Sequence, residues 1–189
     1  MTDSVIHNTL IFSQPFTHAE LQLLTPESID FLHTLVARFA PERERLLKAR
    51  QQRQQAYDQG ALPDFDSETV SIREGEWQIR PIPQLLRDRH VEITGPPDRK
   101  MVINALNANV NVFMADFEDS LAPTWQKLID GQLTLRDAIK GTLSFTSEAG
   151  KIYQLKSDPA LLMCRVRGLH LNEKHVEWRD RAIPGGLFD

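Results

Sequence analysis

Several protein classes are excluded by what this chain lacks. It has a single cysteine, Cys164, so no internal disulfide can form, and that usage fits a reducing compartment. Its 22 Lys and Arg against 26 Asp and Glu leave a net charge of only −4, without the basic footprint of a nucleic-acid binder. No apolar run approaches membrane-spanning length. The opening MTDSVIHNTLIF has no basic stretch followed by a long apolar core, so neither anchor nor secretion signal is read there. The six histidines show no Cys or His partner at a zinc spacing. There is no internal repeat, and the one biased stretch is QQRQQ at residues 51–55. With 41% hydrophobic and 25% charged residues, the composition is that of a soluble cytoplasmic globular protein with neither nucleic-acid nor membrane partners.

What is present concentrates in residues 91–119. Val91–Thr94 is β-branched apart from Glu92, and Gly95-Pro96-Pro97 ends that strand. Asp98 then caps a predicted helix whose apolar positions Met101, Val102, Ala105 and Leu106 recur at three- and four-residue spacing, and Asn107–Asn109 stop it. Val110–Phe117 is apolar apart from Asn111 and Asp116, as a strand covered on both faces should be. The crossover suits a parallel βαβ unit. Parallel α/β folds place their sites beyond the carboxyl ends of the strands, and Asp116, Glu118 and Asp119 sit at that end. Alternation puts Val112, Met114, Asp116 and Glu118 on one face and Phe113, Ala115 and Phe117 on the other. Close carboxylates repel one another unless a cation or an arginine compensates them. Read without chemistry, the acids are a solvated strand end.

A second segment supplies positive charge. Ala160–Val166 reads ALLMCRV, and alternation places Leu161, Met163, Arg165 and Arg167 on one face with Leu162, Cys164 and Val166 on the other. An arginine in such a strand needs a partner, because an unpaired buried charge costs several kcal/mol. The partner is either an acid of the preceding strand or a ligand carboxylate or oxyanion gripped by the guanidinium fork. Cys164, on the outward face, is expected to be a packed thiol and not a nucleophile.

Residues 1–88 read as helical. Thr17 and Glu20 form a capping-box pattern, and Thr25-Pro26-Glu27 opens a second helix with an apolar stripe of Ile29, Leu32, Leu35, Val36 and Phe39. Pro41 is expected to start a third helix, closed by Gly60, whose charge run is a solvated face. Leu62–Arg89 reads as a linker with a short strand at Trp77–Ile79 and Trp77 as a packing anchor. Past the acidic strand, short helices are expected over Pro123–Ile129 and Thr134–Lys140, then a hairpin pairing Thr142–Phe145 with Lys151–Leu155.

The runs RDRHVEITGP, RKMVINALNANVNVFMADFEDS, GKIYQL and CRVRGLHL resemble the amino-terminal part of malate synthases of the shorter, A-type class. The resemblance implies an α/β fold: a helical clasp and linker over residues 1–88, then over 89–189 the first strands of a TIM (β/α)8 barrel, incomplete in this chain. It implies an acyltransferase that condenses acetyl-CoA with glyoxylate and water to malate and CoA in the glyoxylate bypass, with Mg²⁺. Arg165 matches the family's active-site arginine, which binds the glyoxylate oxygens and stabilises the enolate of acetyl-CoA. Asp116, Glu118 and Asp119 match the acidic cluster near the magnesium, acting mainly through bound water. The family's GLNxGxWDY signature, its direct metal ligands and its catalytic aspartate have no counterpart here, so no residue is assigned as a metal ligand. A barrel of this kind needs roughly 250 residues, and about 100 follow residue 90. The expectation is therefore a fragment with about three barrel strands, inactive by itself and completed by a missing carboxyl-terminal part. The alternatives are a CoA-ester lyase of the citrate lyase β-subunit type and a non-catalytic partial product.

Overall fold

The computed structural model describes residues 5–7 and 9–189. The first four residues, where no targeting signal is expected, and the His7 side chain fall outside the described set. In chain order the elements are β1 (Val5–His7), β2 (Leu10–Phe12), α1 (His18–Leu21), α2 (Pro26–Asp58), α3 (Val70–Arg73), β3 (Glu92–Gly95), α4 (Arg99–Asn107) and β4 (Val112–Asp116). They are followed by α5 (Trp125–Ile139), β5 (Ser144–Thr146), β6 (Ile152–Gln154), β7 (Leu161–Arg165), β8 (Asn172–Trp178), β9 (Arg181–Pro184) and α6 (Gly185–Phe188).

The site-bearing sheet is parallel and runs β3-β4-β7. Its register sets Val112 beside Leu161 and, at the carboxyl end, Asp116 beside Arg165. Asp98 caps α4 as expected, accepting from the Met101 N–H at 3.0 Å. The buried stripe of α4 is Val102, Ile103, Ala105 and Leu106, while Met101 is exposed. Ile103 replaces Met101 because α4 packs on α5 and on the β5–β6 hairpin as well as on the sheet. Phe113, Ala115 and Phe117 are buried in the core, so the aromatic face of β4 meets its covering helices.

The two helices expected after Pro123 are one continuous α5. Gly131 marks the expected gap, yet it serves close packing: a Cβ there would lie 2.9 Å from both the Phe117 ring and Pro97. The two helices expected around Pro41 are likewise the single α2, with Pro41 inside it. Proline removes one helical hydrogen bond, but the turns on either side keep the helix continuous. The buried stripe is Ile29, Leu32, Val36 and Ala40, and Phe39 is exposed. Beyond Pro41 the helix is largely solvated, as the charge run predicted.

Residues 61–91 hold only α3 and two 3₁₀ turns, at Ser67–Thr69 and Gln84–Leu86. No strand forms at Trp77–Ile79, and Trp77 is exposed, so it anchors nothing here. A strand needs a pairing partner, and among the described residues no strand pairs with that segment. The hairpin expected before the third parallel strand is present as β5–β6.

A second sheet, β1-β2-β8-β9, is antiparallel and takes its strands from both sides of residue 88. Leu10, Phe12, Val176 and Ile183 carry its face into the core. Arg179 and Asp180, with φ of 52° and 60°, make the two-residue turn between β8 and β9.

Candidate functional site

The site grows out of the register of β4 with β7. The two strands end together, so the Asp116 and Arg165 side chains leave the sheet side by side. Arg165 Nη1 lies 3.2 Å from Asp116 Oδ2 and 2.7 Å from Asp119 Oδ2, and Nη2 lies 3.4 Å from Glu118 Oε2. The guanidinium and all three acids expected from the sequence therefore form one cluster, at the strand end where parallel folds place their chemistry.

Each acid has a distinct surrounding. Asp116 is 1% exposed, and its Oδ1 accepts from the backbone N–H of Glu118 at 2.9 Å and of Asp119 at 3.2 Å. The Ser120 hydroxyl donates to its other oxygen at 3.2 Å. Asp116 thus fixes the turn that aims its two neighbours, as aspartates at strand ends do. Glu118 accepts from the Gly168 N–H at 3.1 Å, which ties the β4 end to the segment leaving β7. Asp119 is open to solvent. Arg165, with 37% of its side chain exposed, is reachable by a ligand. The Asp119 carboxylate, then Asp116 and Glu118, hold its pKa above the ordinary arginine value.

Three carboxylates surround one guanidinium, so the cluster carries excess negative charge that a small cation would compensate. Among the described residues no group of three His, Cys, Asp or Glu is arranged to hold a metal. Both oxygens of Asp116, and Oε2 of Glu118, are engaged by N–H groups, a hydroxyl and Arg165. Hard carboxylate oxygens are the ligand type that a Mg²⁺ ion takes, directly or through its water shell.

Alternation misplaced Arg167. Strand β7 ends at Arg165, so the two-residue period stops there and Arg167 turns into the interior instead of joining Arg165. It is 4% exposed. Its Nε donates to Asp189 Oδ2 at 2.8 Å, and its Nη2 donates to Asp189 Oδ1 at 2.6 Å and to Glu173 Oε2 at 2.7 Å. The Arg167 backbone N–H also donates to Asp189, at 2.9 Å. Burial pulls the Arg167 pKa down, but Asp189 and Glu173 outweigh it and leave the group above its ordinary value. Gly186 makes room for this turn, since a Cβ there would lie 2.3 Å from the Arg167 carbonyl oxygen.

Sequence reading did not find this triad, because Glu173 lies in a strand it had not assigned and Asp189 beyond it. The available signal was the alternation of Glu173, His175 and Glu177 through β8. Cys164 is not the packed thiol expected: part of its surface is open to solvent, although neighbouring side chains still desolvate it. Its sulfur sits in a groove lined by Phe117, Leu135 and Val166, and burial pushes its thiol pKa up, away from nucleophilic use.

Residues 10–71 match the family model described as malate synthase, N-terminal domain. The chain is 66% identical over 180 residues to malate synthase A of Escherichia coli (strain K12), covering 95% of this chain and 34% of that protein. It is 51% identical over 168 residues to the malate synthase of Myxococcus xanthus (strain DK1622), covering 89% of this chain and 31% of that protein. It is 44% identical over 169 residues to the glyoxysomal malate synthase of Gossypium hirsutum, covering 89% and 30%. The chain spans about a third of the length of the curated relatives it matches.

Proposed function

We propose that this chain, whose sequence is that of the amino-terminal portion of a malate synthase, supplies the clasp, the first three barrel strands and the active-site arginine of an acyltransferase. The reaction is condensation of acetyl-CoA with glyoxylate and water to give malate and CoA, in the cytoplasm. The observation that carries this reading is Arg165, held by Asp116, Glu118 and Asp119 at the carboxyl ends of neighbouring parallel strands.

Arg165 presents a planar fork that matches the two oxygens of a carboxylate, so it would orient glyoxylate by its carboxylate end and stabilise negative charge that develops beside it. Asp116 and Glu118, both anchored by backbone N–H groups, keep that fork from swinging. A bound Mg²⁺ ion would polarise the glyoxylate carbonyl, with the acids here holding its water. The proton of the acetyl methyl group is taken by a residue outside these three strands, in keeping with a barrel of eight.

A chimaera tests the reading: residues 1–189 replace the matching third of the Escherichia coli relative, and CoA release is followed with acetyl-CoA, glyoxylate and Mg²⁺. Glyoxylate-dependent release supports it. A folded chimaera that releases no CoA, or that cleaves a 3-hydroxyacyl-CoA without glyoxylate, as a lyase of the citrate lyase β-subunit kind would, contradicts it. Residues 1–189 alone are expected to release none.

A further inference from the structure

We infer that Arg167 is a positioning residue for Arg165: its buried ion triad with Glu173 and Asp189 fixes the turn whose Gly168 N–H holds Glu118, and through Glu118 the guanidinium of Arg165. The inference rests on reading Arg165 as the glyoxylate-binding group.

Arg165 is the last residue of β7, so strand pairing does not hold the residues after it. The segment from Val166 to Leu171 has to be fixed by other means: the Gly185 N–H donates to the Leu171 carbonyl at 2.9 Å, and arginine side chains tie the segment from two sides. From the inside, Arg167 is gripped by Glu173 of β8 and by Asp189 just past α6, through both its side chain and its backbone N–H. From the outside, Arg43 of α2 donates to the carbonyl oxygens of Leu169 and His170 and, at 2.7 Å, to Asn172 Oδ1. Between these ties lies Gly168, whose N–H donates to Glu118 Oε2 at 3.1 Å. The same oxygen is 3.4 Å from Arg165 Nη2. A shift of this turn is therefore felt at the guanidinium without passing through the core of the parallel sheet.

The triad is also more than packing requires. A buried charged group is expensive unless its hydrogen bonds are complete, and an apolar replacement of similar volume is often neutral or stabilising. Here a single guanidinium is met by two carboxylates whose side chains are 1% and 0% exposed. Such directional bonds define one position of the chain, where apolar contacts would tolerate several. His175 completes the arrangement, with its N–H and its ring Nδ1 at 2.8 and 2.6 Å from Glu173 Oε1. Glu173 therefore cannot turn away from Arg167 without giving up contacts to its own strand.

The test uses the active chimaera carrying Glu173→Gln or Arg167→Lys, both of which keep volume and part of the hydrogen bonding. The expected result is a rise of about tenfold in the glyoxylate KM and a fall of about tenfold in kcat, with the acetyl-CoA KM changed less than about twofold. Thr25→Ala, which removes the cap of α2 far from the turn, serves as the control for lost stability and should move neither KM. Unchanged glyoxylate kinetics in folded Glu173→Gln and Arg167→Lys proteins would overturn the inference alone. So would loss of folding in both, which would make the triad a structural element only. A folded, unsubstituted chimaera without activity would overturn it together with the functional reading it rests on.

Discussion

Two arginines two residues apart meet opposite fates in this molecule. Arg165 leaves the end of β7 among three carboxylates and is 37% exposed, whereas Arg167 turns inward and is 4% exposed between two. The residue types are the same at both places, so composition does not separate them; solvent access does. At Arg165 the acids outnumber the base in a cluster that solvent reaches, which leaves charge for a ligand or cation to meet. At Arg167 the side chains are shut away and mutually satisfied, which suits holding and not binding. A solvent-facing arginine and an enclosed one can thus share a strand end, and the distinction lies in where the strand stops.

The largest effect that would break this contrast is on stability at the closed end. Arg167→Ala would leave Glu173 and Asp189 buried without their cation, and is expected to destabilise by about 3–5 kcal/mol, read from the urea midpoint of the chimaera. Arg165→Lys should leave that midpoint nearly unchanged, because an ion pair open to solvent contributes little. Its turnover should nevertheless fall by about a hundredfold or more, since a point charge cannot reproduce the fork. Equal stability losses at the two arginines would erase the contrast.

Smaller effects sharpen it. Thr25 Oγ1 accepts from the Ser28 N–H at 3.3 Å, so Thr25→Ala should cost about 1 kcal/mol with kinetics unchanged, as measured by thermal melting alongside CoA release. The amino-terminal helices should also respond to pH through Glu20. This residue is buried; burial raises its pKa, but hydrogen bonds from Thr17 and from the Trp125 indole N–H outweigh this and leave it lowered. A lowered carboxyl contributes stability that is present above the unfolded value and is lost as pH falls through the folded one. The midpoint should therefore drop below about pH 4.3, and Glu20→Gln should flatten that part of the profile. An unchanged slope would show that Glu20 gains nothing from the fold.

The parts of the fold legible in the sequence were those set by local rules. Asp98 as a cap, the β3-α4-β4 crossover and the strand at Leu161–Arg165 follow from short-range pattern, and so does the juxtaposition of Asp116 with Arg165 once those strands are parallel neighbours. Errors came where tertiary packing overrode a local signal. Gly131 and Pro41 look like helix breaks, yet one admits Phe117 and Pro97 and the other sits inside a helix already committed on both sides. Trp77 lacks a surface to pack on. Arg167 was misplaced because alternation holds only while the strand lasts, and no local residue announces that β7 stops at Arg165.

The most direct measurement of the central claim is a double-mutant cycle on kcat/KM for glyoxylate in the chimaera, combining Arg165→Lys with Glu118→Gln. If the carboxylate acts by aiming the guanidinium, the double variant should be scarcely worse than Arg165→Lys alone. Losses that simply multiply would show that Glu118 and Arg165 work independently, and would contradict the account.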